Sequence, residues 1–462
     1  MKSMLRHFLF TCALAVALVH LIGIAQSAFS MRIVASGLGA PWEVVVGPDD
    51  DLWVTERTGR RIIRVNPATG AVTPALDLTG ESYDPKESWH EGVLGLALHP
   101  DLLKKAGRDY VYVAFTYDAD PGPALLRKLK LRRYTYDPAK QRLVSPMDLI
   151  TDVPAHDDHG GGRVAFGPDA KLYLTRGDNG GNWLANYCTP IKSQDLPTAA
   201  QVNARDWSSY EGKILRLELD GSVPADNPEL NGVRSHVYSY GHRNPQGLGF
   251  GPNGLLYSSE HGPNTDDELN LIVAGGNYGW PYIAGNRDDR AYVFANWSES
   301  KGTPCASLKF DESGDAPPSV PRIRESEWTG TFQPPLRTFF TVPENYDIAK
   351  SGSSTIAAGG LEVYSARDGI SGWATSILQP GMTMGRVYRV KLSDDGRTAV
   401  GSNEELFRTT NRYRDIAIGR DQRTFYLVTD NNGLGSTTDS SGARVRTFAN
   451  PGSILEFKYQ AK

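Results

Sequence analysis

The sequence predicts an all-β fold: a six-bladed β-propeller with long loops between its strands. Three observations predict it. One strand–turn–strand phrase recurs six times along the chain. Long helical periodicity is scarce. The chain also carries 48 Gly and 29 Pro, the turn formers that many short strands require.

The copies run in order. "VVVGPDDDLWVTE" starts at Val44, "LALHPDLLKKAGRDYVYVAF" at Leu96 and "VAFGPDAKLYLTR" at Val164. "LGFGPNGLLYSSE" starts at Leu248, "GGLEVYSARDG" at Gly359 and "IAIGRDQRTFYLVTD" at Ile416. In most of them an apolar strand runs into Gly-Pro-Asp or Gly-Pro-Asn, a tight turn, then a strand carrying Leu-Tyr or a similar pair. Several copies are followed by a further strand with basic residues, as in "RRIIRVNP", "GKILRLELDG" and "GRVYRVKL". Six units at about 72 residues each exceed the ~40–50 of compact blade repeats, so the surplus belongs in loops. The largest are expected at 186–209 and 286–358. A pair of β-sandwiches is the competing arrangement; an α/β fold does not suit the pattern.

The propeller is expected over residues 28–462 of the 462. Residues 1–27 read as a signal peptide: Lys2 and Arg6, an apolar stretch from Phe8 to Ile24, then Ala25-Gln26-Ser27. The alternative is an uncleaved membrane anchor, for which the stretch is short. A periplasmic or secreted location follows. Composition is globular, with 40% hydrophobic and 22% charged residues. A net charge of -4 lacks the basic footprint of a nucleic-acid binder. Cys12 lies in the leader, leaving Cys188 and Cys305. Export permits one bridge between them, and their spacing gives no zinc or iron–sulfur site.

Four stretches carry chemistry. In "PAHDDHGGGRVAFGPDAKLYLTRGDNG", from Pro154, His159 is the candidate general base. Asp158 beside it and Asp178 after the next strand are candidates to orient the ring and hold a polar substrate. Gly160, Gly161 and Gly162 would let backbone approach a ligand. In "GHRNPQGLGF", Arg243 offers a planar fork to carboxylates or to a carbonyl oxygen gaining charge. In "SSEHGPNTDDELNLI" and "GGNYGWPYIAGNRDD", Asp266, Asp267, Glu268 and Asp288 are hard oxygen donors of the calcium type, without EF-hand spacing. In "TTNRYRDI", Arg412 and Arg414 at i, i+2 share a face if the segment is extended, and would grip a polyanion. Each has a bland alternative: a solvated loop, an arginine locking a turn, surface acids, a salt-bridged face.

Taken together, these stretches resemble the soluble glucose dehydrogenases that use pyrroloquinoline quinone (PQQ), the glucose/sorbosone dehydrogenase family of six-bladed quinoproteins. The likeness spans nearly all of the chain after the leader. It is most specific in "GKILRLELDGSVPADNPELNGVRSHVYSYGHRNPQGLGF", "GPNTDDELNLIVAGGNYGWP", "ESEWTG" and "NRYRD". The resemblance implies oxidation of an aldose at C1 to the lactone, with PQQ and Ca2+ as cofactors. It implies that His159 takes the C1 hydroxyl proton, that Asp158 orients it and that Asp178 lies in the sugar pocket. Hydride passes to PQQ, whose quinone oxygen is polarised by Arg243 and calcium. Cofactor contacts are implied at Arg243, Asn244, Thr355, Arg412 and Arg414. The cofactor calcium is implied on the carbonyls of Gly262 and Pro263. A second calcium site is implied at Glu268, Tyr278, Ala284, Asn286, Asp288 and Glu325, near a dimer contact, so a homodimer is compatible. Electrons pass onward to a quinone, a small redox protein or a dye.

The chain departs from the family pattern. His90 stands where glucose enzymes carry a sugar-binding glutamine, and His261 where a glutamine precedes Gly-Pro. Thr383 replaces a lysine, with Arg386 a substitute source of charge. The loop before Thr355 is short and lacks paired cysteines and aromatics. Two other functions compete: a calcium-dependent propeller lactonase, and a noncatalytic sugar- or protein-binding propeller.

Overall fold

The structure is a computed structural model describing residues 28–85, 88–120, 122–311, 316–431 and 435–460. The leader expected at 1–27 lies outside them. Among the described residues, six four-stranded antiparallel sheets dominate. Five of the six repeated phrases form the first two strands of one sheet; the fifth, from Gly359, forms only the first strand of its sheet. Blade one is Pro41–Val46, Leu52–Glu56, Arg61–Val65 and Val72–Asp77. Blade two is Val93–Leu98, Tyr110–Asp118, Arg127–Asp137 and Arg142–Pro154. Blade three is Val164–Phe166, Leu172–Arg176, Lys213–Leu217 and Val237–Tyr240. Blade four is Pro245–Phe250, Leu256–Glu260, Asp267–Ile272 and Arg337–Phe339. Blade five is Glu362–Tyr364, Ser376–Gly381, Arg386–Lys391 and Glu404–Leu406. Blade six takes Tyr413–Ile418, Thr424–Thr429 and Ile454–Tyr459, and its outer strand is Phe29–Ala35 from the other end of the chain. Phe29 pairs with Tyr459 and Ile33 with Leu455, which closes the ring.

The first strands of neighbouring blades abut one another around the whole ring, the first beside the sixth. Six hydrophobic clusters fill the six interfaces between blades. Trp53 and Ile62 pack with Val93 and Val113, and Leu94 and Tyr112 with Leu172 and Leu215. Ile214 meets Leu248, and Tyr257 meets Ile377. Leu378 meets Phe425, and Val428 meets Val44. Strands buried on both faces explain the nearly unbroken apolar runs.

The repeated turn has one geometry. The N–H of Gly47 donates to Asp51 O, that of Gly167 to Lys171 O, and that of Gly251 to Leu255 O, at 2.7–2.8 Å. A left-handed residue sits at the same place in each: Asp50, Ala170 and Gly254, with φ of 66°, 58° and 72°. A Cβ on the opening glycine would strike the aromatic of the next strand, Trp53, Tyr173 or Tyr257, at under 3 Å. The motif is thus a turn packed under its own Leu-Trp/Tyr strand.

At the axis, charge joins the blades. Buried Arg163 of blade three meets Glu43 of blade one at 3.1 Å and Asp415 of blade six at 3.0 Å. Its Nε donates to Gln246 O of blade four. The 286–358 segment is not all loop. It holds a short hairpin, Phe294–Ala295 with Arg322–Ile323, and the outer strand of blade four.

Candidate active site

His90, His159, Arg243, Thr355 and Arg412 each precede the first strand of a different blade. Asp178, His261 and Asp430 each follow a second strand. Antiparallel pairing puts the start of one strand beside the end of the next, so all eight sit on one rim of the ring. On that rim lies a cavity of about 560 Å3 lined by His90, Asp158, His159, Arg243, Asn244, His261, Gly262, Thr355, Arg412 and Arg414. Asp178 does not line it; its side chain is wholly buried beneath.

The imidazole of His159 is fixed from behind. Its Nδ1–H donates to Asp178 Oδ1 at 2.7 Å. The other oxygen of Asp178 accepts from the indole N–H of Trp280 at 2.7 Å, and Oδ1 also accepts from Gly180 N–H. With Nδ1 committed, Nε2 carries the lone pair. It stands 3.7 Å from Asp158 Oδ1. The carboxylate that orients the ring is therefore Asp178, not Asp158 as the resemblance implies. Asp158 is next to His159 in sequence, but His159 has φ 45°, a strained value for a non-glycine, and its ring turns down onto Asp178. Asp158 bonds the backbone N–H of His159 and keeps an oxygen toward the cavity. Burial works against its charge, yet His159, His90 and Arg243 hold the carboxyl well below the usual carboxylate range.

The glycine run serves packing. A Cβ at Gly160 would meet His90, one at Gly161 the backbone of Arg176 and Gly177, and one at Gly162 the side chain of Leu94. The run lets protein, not ligand, approach closely. His90 accepts from Gly160 N–H through Nδ1 at 3.0 Å, leaving Nε2 protonated.

The opposite wall is cationic. Arg414 places Nε and Nη2 on the two oxygens of Asp430 at 3.1 and 2.9 Å, and Arg412 Nε reaches the same carboxylate. Burial opposes the charge of Asp430, but Arg414 and Arg412 hold it below the usual carboxylate range. Two guanidinium groups on one carboxylate leave positive charge over. Arg414 Nη1, Arg243 Nε and Asn244 Nδ2 are buried without a partner among the described residues. Orphan donors on a cavity wall call for an acceptor-rich anion. Asn244 Oδ1 accepts from Gln246, so its amide N–H is the free end. The guanidinium of Arg243 lies between the rings of Trp183 and Trp280, 5.7 and 5.3 Å from their centroids. Thr355 is on the wall, but its hydroxyl donates to Asp267 and has no proton left for a ligand. Arg386 does not stand in for the lysine replaced by Thr383. It pairs with Glu405 and Met384 O, away from the cavity.

The imidazoles on the wall add no cation. Burial, with Arg243 next to it, pushes His261 down to about 3. Burial also holds His90 well below the usual value and pushes His236 and His242, elsewhere in the fold, to about 4 and 3. The unfolded chain protonates all four near pH 6.5, the folded chain only further down. Below pH 6.5 the unfolded state therefore binds more protons, and these groups withdraw stability as pH falls from about 6.5 toward 3–4. Glu43, Glu260 and Glu362 oppose them: burial raises these carboxyls to about 8, 7 and 7, so they add stability over the same fall in pH.

The carbonyls of Gly262 and Pro263 accept no hydrogen bond from the described residues. Asp267 fixes their loop, bonding Gly262 N–H and, on its other oxygen, Thr355, Ile356 and Ala357. Two open carbonyls beside a cavity that suits an anion fit a calcium ion shared with that anion. The second predicted set is brought together but does not fit as a cage. Glu325 accepts from the N–H groups of Ala284, Asp288 and Asp289. Glu268 accepts from Gly285 N–H and Asn270. The Tyr278 ring stacks on His242 and its hydroxyl donates to Leu271 O. No hydrogen bond of the Asn286 side chain converges on them. Among the described residues, no three His, Cys, Asp or Glu are grouped to hold a metal.

Sequence reasoning missed the apolar wall. Trp89, Trp183, Leu184 and Met382 line the cavity, and Trp89 is 43% exposed at its mouth. Lone aromatics in loops carry no spacing signal. Cys188 and Cys305 form a disulfide across 117 residues, with Cα atoms 5.7 Å apart, tying the 286–358 segment to the loop bearing Trp183.

The chain matches the family model "Glucose / Sorbosone dehydrogenase" over residues 38–330 and 341–435. It is 40% identical over 446 residues to quinoprotein glucose dehydrogenase B of Acinetobacter calcoaceticus, covering 94% of this chain and 92% of that one. Over 269 residues it is 27% identical to the aldose sugar dehydrogenase YliI of Escherichia coli, covering 56% and 63%. Among solved structures, the PQQ-bound form of an aldose sugar dehydrogenase from Streptomyces coelicolor is 28% identical. It superimposes with a TM-score of 0.62 over 94% of this chain and 98% of that one.

Proposed function

The chain belongs to the glucose/sorbosone dehydrogenase family, and from that membership and the rim geometry we propose a quinoprotein that oxidises an aldose at C1 to the lactone. One observation carries the reading. A single cavity holds the free Nε2 of an oriented histidine on one wall and unpaired guanidinium and amide donors on the other. PQQ, a tricarboxylate, matches that donor set, and Arg243, Asn244, Arg412 and Arg414 would hold it. Gly262 and Pro263 carbonyls would share a calcium ion with it. When bound, it supplies a two-electron acceptor for hydride.

The residues of the chain do the rest. Anionic Asp158 and neutral His90 hold sugar hydroxyls, the first as acceptor and the second through its Nε2–H. His159 Nε2 takes the C1 hydroxyl proton, and Asp178 stabilises the imidazolium that results. Arg243, on the neighbouring blade and lining the same cavity, would stabilise the negative charge that develops on the hydride acceptor. The disulfide agrees with an oxidising compartment, so we propose a periplasmic or secreted enzyme.

Reconstitution tests the reading. Dye reduction by an aldose is expected only after PQQ and calcium are added. Lactone opening without PQQ would favour a hydrolase, and no PQQ absorbance change a binding module. Arg414→Gln is expected to weaken PQQ by on the order of 100-fold, because a buried carboxylate loses a charged partner. An unchanged PQQ titration would place that guanidinium outside the cofactor site.

A further inference from the structure

A second, smaller cavity of about 170 Å3 adjoins the first and shares with it His159, Trp183, Arg243 and Asn264. Its remaining walls come mostly from the 286–358 segment. They are rings: Trp183, Trp280, Tyr292, Phe294, Trp297 and Phe310. The rings brace one another. Trp280 and Tyr292 lie 5.5 Å apart, Trp297 and Phe310 5.3 Å, and Trp183 and Phe310 5.6 Å. The disulfide fastens the turn before Phe310 to the loop carrying Trp183.

The polar side chains on these walls are already engaged. Asn182 donates to Ala295 O at 2.7 Å and accepts from Trp297 N–H at 2.8 Å. Asn264 accepts from Ser353, Arg322 donates to Ala316 O, and Asp311 has a partner too. A sugar needs side chains free to exchange hydrogen bonds with its hydroxyls; this chamber offers mainly tilted and edge-on aromatic rings instead. The exceptions are two residues shared with the first cavity: His159, whose Nε2 is free, and Arg243, whose Nη1 donates to His261 O and whose Nε is unpaired.

We propose that this aromatic chamber is the docking site for a small planar electron acceptor of the quinone class, stacked among the rings with a carbonyl oxygen toward Arg243. The proposal rests on the dehydrogenase reading. Converting an aldose to its lactone releases two electrons and two protons. A quinone that takes all four becomes the hydroquinone, its two carbonyls reduced to hydroxyls, so the account balances with no further oxidant.

The test does not require turnover. 2-Methyl-1,4-naphthoquinone is titrated calorimetrically into the protein without PQQ, in the unaltered chain, in Ala295→Trp, which fills the chamber, and in Phe310→Ala, which removes a wall. Saturable binding is expected in the first and at least tenfold weaker binding in both variants, with the PQQ titration unchanged. In the loaded enzyme, Ala295→Trp should raise KM for the naphthoquinone about tenfold and leave turnover with ferricyanide as it was. Equal binding in all three proteins, or displacement of the naphthoquinone by PQQ, would overturn the proposal. So would variants that alter the KM for a disaccharide and not for the quinone, since the chamber would then be a sugar subsite. Failure of PQQ to bind the unaltered chain would sink the dehydrogenase reading alone, because the quinone titration is read without it.

Discussion

His159→Ala is expected to lower turnover of the PQQ-loaded protein by about 10^4-fold while PQQ still binds. The expectation follows from where the ring sits. Its Nδ1 is spent on a buried carboxylate, so Nε2 is the one basic atom it can offer the cavity. Positioned general bases contribute about 10^2- to 10^4-fold, and the upper end applies when no substitute is at hand. Asp158 is close, but its carboxyl is held far below the usual range and is a poor base. The cationic wall of Arg412 and Arg414 is untouched by the substitution. An unchanged kcat would remove His159 from the chemistry; a lost PQQ titration would make it a cofactor ligand instead.

Asp178→Asn is expected to cost about 10^4-fold in kcat with little change in sugar KM, an effect of the size seen when a catalytic imidazole is offered the wrong tautomer. The amide would accept from Trp280 on its oxygen and present N–H groups to His159. That turns the lone pair to Nδ1 and puts a proton on Nε2, where the base must act. Asp158→Asn, by contrast, should act mainly on sugar KM, since its oxygen faces the cavity. Equal kcat losses in the two variants would contradict the division of labour, and a larger loss at Asp158 would reverse it. Rapid-mixing measurement of the reductive half-reaction separates the two.

The fold was legible because its unit is local. A strand, a tight turn and an aromatic strand lie close together in the chain and recur, and that phrase marks the first two strands of every blade but the fifth, where it marks the first alone. What lacked a phrase was lost: Arg337–Phe339 is three residues long, too short for an alternating pattern, and sits inside a Pro-rich segment. At the site, sequence proximity was a good guide to which stretches matter and a poor guide to which atoms meet. Asp158 and His159 are neighbours in the chain, but the carboxylate on the ring comes from 19 residues away and is braced by a tryptophan 102 residues further on. Acids in the 260s and 280s read as cation ligands. Asp267, Glu268 and Asp288 are instead occupied by the backbone N–H groups of Gly262, Gly285 and Arg290, which no side-chain pattern announces.

The pairing of Phe29–Ala35 with Ile454–Tyr459 bears on the timetable of biosynthesis. The strand that completes the circle leaves the ribosome before the five contiguous blades, and its partner after them. Five blades can assemble from contiguous stretches as they emerge, but the toroid stays an open arc until the terminal strand arrives. During that interval the early segment has an unsatisfied edge, which favours aggregation or exchange between nascent copies.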